Sequence, residues 1–126
     1  MSRTPTVLIV DDSRLARLMV RTLITHVHPD WTIIEASNGQ EALEKTATLP
    51  VDIMTIDLNM PGMDGLTLAT TLRARYPAAH IALLTANIQE SVRQKAAAAG
   101  VRFMEKPVTE ESLSAYMACV SGDHYD

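Results

Sequence analysis

The sequence has little cysteine, few basic residues and no long apolar run, and each shortage narrows the range of functions. One cysteine, Cys119, cannot form an internal disulfide, which fits a reducing cytoplasm and a buried structural thiol. Lys and Arg number 11 against 15 Asp and Glu, and the net charge of -4 argues against a surface that binds nucleic acid directly. No apolar stretch approaches the roughly 18 residues that span a bilayer. The N-terminus reaches its first apolar run too soon for a signal peptide, so we expect a cytoplasmic protein without membrane insertion.

Short apolar runs alternate with longer amphipathic stretches. Five runs predict strands: residues 6–10, 32–36, 51–56, 81–85 and 101–105. Most of them lack polar alternation, as is typical of strands that are covered on both faces, whereas the fifth is more polar and predicts an edge strand. A helical pattern follows each run. Ser13 and Asn38 are candidate N-terminal caps for the first two helices, and Leu15, Leu18 and Met19 recur at helical spacing in the first.

Five strands alternating with five helices predict an α/β fold. Right-handed crossovers and one chain reversal give a flavodoxin-like, doubly wound parallel sheet with the strand order 2-1-3-4-5. No internal repeat or linker is visible, so we expect a single domain over residues 1–126, with a core of about 6–120 and short tails. In this order strands 1 and 3 are neighbours, and the residues that follow them meet.

Four of the predicted strands end in charged or hydroxyl residues. Asp11 and Asp12 follow strand 1, Asp57 ends strand 3, Thr85 ends strand 4 and Lys106 follows strand 5. The carboxyl ends of parallel strands lie at one edge of the sheet, where ligands bind, so these side chains should converge. Two unshielded carboxylates about 4 Å apart repel by roughly 4 kcal/mol at an effective dielectric near 20. Such a cluster either raises a pKa or recruits a cation.

A divalent cation with oxygen ligands fits this cluster, and Mg²⁺ is the candidate cofactor. Mg²⁺ takes one or two carboxylates and completes its octahedron with waters and phosphate oxygens. Asp12 and Asp57 are the candidate direct ligands, Asp11 is expected to hold a coordinated water, and a loop carbonyl near Asn59 can add an oxygen. With the cation bound, the free oxygen of Asp57 becomes a nucleophile toward phosphorus.

The remaining strand-end residues suit phosphoryl transfer, which needs positioning and charge neutralisation more than covalent chemistry. Lys106 would neutralise one phosphoryl oxygen, Thr85 would donate its hydroxyl to another, and the small Ala86 leaves room for the group. Pro107 would fix the direction of Lys106. Taken singly, each residue is explained as a helix cap or a strand end, and it is their joint placement that favours a site.

These motifs resemble the receiver domain of two-component response regulators. The matching segments are 10–13, 56–65, 84–86 and 105–107. The resemblance implies that Asp57 is the phosphoacceptor and takes phosphate from the phosphohistidine of a histidine kinase. It also implies Mg²⁺ binding by Asp12, Asp57 and the backbone carbonyl of Asn59, with Asp11 in the acidic pocket.

The resemblance further assigns a switch. Thr85 and Lys106 would contact the phosphoryl group, and Pro107 would follow a cis peptide bond. On activation Thr85 would move toward the phosphate while Phe103 turns inward. Tyrosine is common at this position in the family, so the chain lacks that hydroxyl.

Two asparagines occupy positions that modulate the lifetime of the acyl phosphate in the family. They are Asn59 and Asn87.

From the resemblance the chain is expected to be a stand-alone, CheY-like phosphoacceptor rather than an enzyme with a separate substrate. Its signal would pass to an unknown protein target, or to a second copy in a homodimer, through the surface of the fourth helix, fifth strand and fifth helix.

Four alternatives stay open. The chain could relay phosphate to a histidine phosphotransfer protein, which the sequence barely separates from the switch. A flavin carrier on the same sheet is disfavoured because Asp11 and Asp12 would repel the flavin phosphate. A phosphatase of the haloacid dehalogenase type would place its nucleophile after strand 1. A purely structural interaction module remains if Asp57 accepts no phosphate.

Overall fold

The computed structural model describes residues 4–86 and 89–121, and within them five strands alternate with five helices. The strands are β1 (Thr6–Val10), β2 (Thr32–Ala36), β3 (Ile53–Asp57), β4 (His80–Thr85) and β5 (Arg102–Glu105). The helices are α1 (Arg14–Val27), α2 (Gly39–Thr46), α3 (Gly65–Arg75), α4 (Glu90–Ala98) and α5 (Glu110–Ser121). All strands pair in parallel in the order β2-β1-β3-β4-β5, which confirms the predicted flavodoxin-like sheet and the edge position of β5.

The local signals act where the sequence indicates. The Ser13 hydroxyl accepts a hydrogen bond from the Ala16 N–H at 3.2 Å, and the Asn38 side chain accepts one from the Glu41 N–H at 2.8 Å. These bonds satisfy donors that have no partner inside the first helical turn. β3 begins two residues later than the apolar run, and it includes Asp57 as its last residue.

Two apolar layers cover the sheet. On one face α2, α3 and α4 pack over the strands, and the buried side chains include Leu8, Val10, Met54, Ile56, Leu83, Ala42, Leu68 and Ala96. On the other face α1 and α5 do so, with Val7, Ile9, Ile53, Leu84, Val20, Ile24, Leu113 and Met117. Neighbouring residues of one strand therefore enter different layers, which explains why the strands are apolar without alternation.

The apolar residues that indicate α1 are largely outside this core. Leu15 is 66% exposed, Leu18 54% and Met19 46%, whereas the buried residues of α1 are Val20 and Ile24. α1 therefore buries a different stripe from the one that its leucines suggest. An exposed apolar face remains beside the carboxyl edge of the sheet. Among the residues described, no helix has both the length and the apolar character that crossing a membrane requires.

Candidate functional site

Three carboxylates meet at the carboxyl edge of the sheet. β1 and β3 are paired with Val10 opposite Ile56, so the residues that follow, Asp11 and Asp57, become neighbours. One oxygen from each of Asp11, Asp12 and Asp57 lies within 4.8 Å of the others. Asp11 and Asp57 are buried and Asp12 is exposed. The cluster is therefore closed toward the sheet and open toward solvent on the side of Asp12.

Lys106 lies between the two buried carboxylates. Its Nζ donates to Asp11 Oδ2 at 3.0 Å and to Asp57 Oδ1 at 3.1 Å. Its backbone N–H donates to the Thr85 carbonyl at 2.8 Å, which continues the ladder between β4 and β5 by one residue. The peptide bond between Lys106 and Pro107 is cis. The ammonium thus bridges strands that are far apart in the sequence, and it partly offsets the negative charge of the cluster.

The electrostatics of the cluster are those of crowded like charges. Burial raises the pKa of Asp57 above its ordinary value, and the charge of Asp11 adds to this, while Lys106 and the Asn59 N–H oppose it through hydrogen bonds. Burial disfavours the charged form of Lys106. The hydrogen bonds to Asp11 and Asp57 nevertheless raise the pKa of Lys106 above its ordinary value. The charged form of Lys106 is therefore favoured, whereas the charged form of Asp57 is disfavoured relative to an exposed aspartate.

The loop after Asp57 is tied back to the sheet. The Leu58 N–H donates to the Leu84 carbonyl at 2.9 Å, and the Gly65 N–H donates to the Leu58 carbonyl at 2.9 Å. A Cβ atom on Gly65 would lie 2.2 Å from the carbonyl oxygen of Asp57, so only glycine fits there. Asp64 caps α3 by accepting from the Thr67 N–H at 2.8 Å. These contacts hold Asp57 at a fixed place beneath the loop.

The model of the response regulator receiver domain family matches residues 7–118. The chain belongs to this family. It is 44% identical to the protein-glutamate methylesterase/protein-glutamine glutaminase of Moorella thermoacetica over 110 residues, which are 85% of this chain and 26% of that protein. It is also 37% identical to the nitrate/nitrite response regulator of Escherichia coli over 86 residues, which are 68% of this chain and 39% of that protein. The receiver therefore spans only a fraction of these curated relatives.

Solved structures give the same result. Chemotaxis protein CheY4 of Vibrio cholerae is 29% identical with a TM-score of 0.85, and the match covers 94% of this chain and 99% of that one. The receiver domain of Saccharomyces cerevisiae Ssk1, solved together with the histidine phosphotransfer protein Ypd1, is 24% identical with a TM-score of 0.77, over 90% and 86% of the two chains. The second likeness shows the fold alone. Phosphorylation and dependence on Mg²⁺ are general for receiver domains.

Among the described residues, the others singled out in the sequence lie on or shortly after β3, β4 and β5. Thr85 is buried at the end of β4, and Ala86 follows it on the surface. Phe103 is half-buried on the edge strand β5 and packs against the layer of α2, α3 and α4. Asn59 is exposed, and its N–H donates to the Asp57 carboxylate. Asn87 lies outside the described residues.

The carboxylate oxygens of the cluster are suitable ligands for a hard cation. Receiver domains bind Mg²⁺ at an acidic pocket, and the pocket of this receiver supplies three carboxylates on one open side. Carboxylate oxygens are the ligands that Mg²⁺ prefers, and the exposed Asp12 leaves space for coordinated waters. A divalent cation would also relieve the repulsion that raises the pKa of Asp57.

Two residues that support the site of this receiver, Arg17 and Glu35, were not predicted from the sequence. Arg17 on α1 donates from Nη1 to the Asp11 carbonyl at 2.6 Å and from Nε to Glu35 at 3.0 Å. The available signal was Glu35 itself, the one charged residue in the run 32–36, because a carboxylate in a covered strand needs a cationic partner. Arg17 and Arg21, four residues apart on a predicted helix, offer that partner.

Proposed function

We propose that this receiver is a cytoplasmic phosphorylation switch in which Asp57 accepts a phosphoryl group from a phosphohistidine. The observation that carries the proposal is the meeting of Asp11, Asp12 and Asp57 within 4.8 Å, with the Lys106 Nζ within 3.1 Å of Asp57. No single part of this arrangement is specific. Its combination of a buried nucleophile, open acidic ligands and a fixed cation is what phosphoryl transfer needs.

In the transfer, a carboxylate oxygen of Asp57 forms a bond to phosphorus while the bond from phosphorus to the donor's imidazole nitrogen breaks. The electron pair of the broken bond stays on the imidazole, which leaves neutral when its second nitrogen carries a proton. Lys106 remains beside Asp57 and neutralises a phosphoryl oxygen as a point charge. Thr85, one strand away, supplies a hydroxyl to the completed acyl phosphate.

Asp12, Asp57 and the Asn59 carbonyl would hold Mg²⁺ directly, and Asp11 would hold it through a water. When bound, the ion supplies positive charge to the phosphoryl oxygens. Asp11 is suited to the outer role because its carboxylate already accepts from the Ser13 N–H at 2.9 Å and from Lys106 at 3.0 Å. Asp12, exposed at the open side, has the freedom that a direct ligand needs.

The donor would approach from the side of α1. Leu15, Leu18 and Met19 form the exposed apolar face beside the site, and a groove next to it is lined by Met19, Lys106 and Val108. A protein that brings its phosphohistidine to Asp57 has to cover this region, and burial of the apolar face would stabilise the encounter. The donor is therefore proposed to be a histidine kinase or a histidine phosphotransfer protein with an apolar contact surface.

The output would leave through the surface of α4, β5 and α5. Phe103 lies on β5 at the edge of the sheet, so a rearrangement near Thr85 can reach the surface through one side chain. The phosphorylated receiver would contact its target, or a second copy, there.

Relay of the phosphate to a histidine phosphotransfer protein uses the same acyl phosphate and is the alternative. That residues 1–126 make up one receiver domain is part of the proposal.

Exposure to acetyl phosphate and Mg²⁺, followed by intact-protein mass spectrometry, tests the proposal. One acid-labile phosphoryl group should appear on the wild-type chain and none on Asp57→Asn. Asp30→Asn is the matched control, since Asp30 is an exposed aspartate outside the cluster, and it should behave as wild type. The absence of an adduct on the wild type, or an undiminished adduct on Asp57→Asn, would overturn the assignment.

A further inference from the structure

We propose that Arg17 is a positioning residue that sets the direction of the Asp11–Asp12 peptide and thereby the affinity of the acidic cluster for Mg²⁺. The inference rests on the proposed function, because it names a residue that controls the same site. Arg17 is the fourth residue of α1 and carries no carboxylate, so it cannot itself bind the cation.

The contact made by Arg17 falls on the peptide bond between two acidic residues. Its Nη1 donates to the Asp11 carbonyl oxygen at 2.6 Å, a short bond from a charged donor. This carbonyl and the Asp12 N–H belong to one rigid peptide plane. Fixing the carbonyl therefore fixes the start of the Asp12 main chain. Asp12 is exposed, and the direction of its carboxylate starts from this plane.

The other polar groups of Asp11 are held as well. Its N–H donates to the Ala36 carbonyl at 3.1 Å, and its Oδ1 accepts from the Ser13 N–H at 2.9 Å. With Lys106 on Oδ2 and Arg17 on the carbonyl, the N–H, the carbonyl and both carboxylate oxygens each have a partner. Arg17 is the one member of this set that comes from the body of α1.

Glu35 anchors the guanidinium. The Arg17 Nε donates to Glu35 Oε1 at 3.0 Å, and the Arg21 Nε donates to Oε2 at 2.7 Å. Glu35 is itself fixed, because it pairs with Ile9 in the sheet and its carbonyl accepts from the Lys45 Nζ at 2.5 Å. Burial opposes the charge of Glu35, yet the hydrogen bonds from Arg21 and Arg17 lower the pKa of Glu35 below its ordinary value. The anchor is thus a charged group on a rigid strand.

Arg21 provides a matched control within the same network. It shares Glu35 with Arg17, but its second contact goes to the Ile33 carbonyl at 3.5 Å, away from the cluster. Removal of either guanidinium takes one partner from Glu35. Only removal of Arg17 frees the Asp11–Asp12 peptide. A role that is merely structural predicts the same behaviour for the two variants, and a positioning role predicts a difference.

The experiment compares Arg17→Met and Arg21→Met in the full chain, with Mg²⁺ affinity from isothermal titration and thermal midpoints from circular dichroism. Arg17→Met should weaken Mg²⁺ binding by about tenfold, the effect expected when a group that orients a metal ligand is lost. Arg21→Met should stay within about twofold of the wild type, although both midpoints fall. Arg17→Lys, which keeps a donor but not the fork, should restore part of the affinity.

A second measurement in metal-free protein separates this inference from the proposed function. Hydrogen exchange of the Ser13 amide, which donates to Asp11, should be faster in Arg17→Met than in Arg21→Met. Equal Mg²⁺ affinities for the two variants, or equal exchange at Ser13, would overturn the positioning role. If the wild type does not bind Mg²⁺, the proposed function and the effect of Arg17 on Mg²⁺ affinity are both wrong. A difference in exchange would then show only that Arg17 orients the Asp11–Asp12 peptide.

Discussion

Two buried aspartates stand at opposite ends of β3 and have different surroundings. Asp52, just before the strand, accepts from the Thr6 N–H at 2.8 Å at the amino edge of the sheet. Asp57, at the last position of the strand, lies beside Asp11 and Lys106 at the carboxyl edge. Both are less than a tenth exposed. Burial of a carboxylate therefore does not identify a site, and the presence of other acidic groups does.

The difference follows from topology. At the amino edge Asp52 contacts the main chain of two neighbouring strands, because its N–H donates to the Thr6 carbonyl and its carbonyl accepts from the His80 N–H. At the carboxyl edge the turns into α1 and α3 bring side chains together instead. A backbone partner stabilises the folded state, whereas a second carboxylate is tolerated only with a compensating cation.

Removal of the Lys106 ammonium should produce the largest change in stability. Lys106→Met leaves Asp11 and Asp57 without their shared ammonium, and we expect it to lower the free energy of unfolding by about 2 to 3 kcal/mol in metal-free buffer. Mg²⁺ at saturating concentration should return much of this loss. Urea titrations with and without Mg²⁺ measure both quantities. Lys95→Met, at an exposed position on α4, is the control, and an equal loss in both variants would refute the bridging role of Lys106.

Neutralisation of the two aspartates should give effects of opposite sign. Asp57→Asn removes a carboxylate that is disfavoured by burial and by Asp11, so the metal-free protein should gain about 1 to 2 kcal/mol. Asp52→Asn keeps the shape but weakens the acceptor of the Thr6 N–H, and it should lose about 1 kcal/mol. Thermal unfolding of both variants at neutral pH is sufficient. Destabilisation by both substitutions would mean that the two ends of β3 do not differ in the way described.

The gain from Asp57→Asn should depend on pH. The pKa of Asp57 is raised in the folded state, so the folded chain binds more protons than the unfolded chain between the ordinary and the raised value. Stability of the wild type therefore falls as the pH rises through this window, relative to Asp57→Asn. The difference between the two proteins should be near zero below the ordinary aspartate pKa and reach its full size above the raised one. A difference that is constant with pH in urea titrations would contradict the electrostatic cause.

An effect no larger than that of Asp52→Asn concerns the polar residue between the two aspartates. Thr55 is fully buried in β3, and its hydroxyl has no hydrogen-bond partner among the residues that the structure describes. Thr55→Val keeps the shape and removes an unsatisfied donor, so it should stabilise the protein by about 1 kcal/mol. The urea midpoint measures this. A lower midpoint would indicate that the hydroxyl has a partner in solution.

The sequence was sufficient for the sheet and for the edge at which the site lies. The order of strands follows from apolar runs that alternate with helices and from the right-handed crossover, and the strand-end residues follow from that order. Contacts that depend on the direction of side chains were not predictable in this way. The apolar spacing of α1 does not show that Val20 and Ile24 face the sheet while Leu15 faces solvent, since both stripes are apolar.

The contacts that charged side chains make between different elements were also not predictable from the sequence. Lys106 is predicted from its motif to face a phosphoryl oxygen, and in the structure its Nζ bridges Asp11 and Asp57. The reach of Arg17 to the Asp11 carbonyl depends on the tilt of α1 over β1 and β2, which no pattern of residues encodes locally. Such contacts join elements that meet only after the sheet has formed.

Chemical identification of the residue that carries phosphate is the decisive test of Asp57 as the phosphoacceptor. After exposure to acetyl phosphate and Mg²⁺, borohydride reduction converts an aspartyl phosphate to homoserine, and tandem mass spectrometry of peptides locates it. We expect homoserine at position 57, dependent on Mg²⁺, with Asp52 unchanged. Homoserine at position 11, 12 or 52 with an unmodified Asp57 would contradict it.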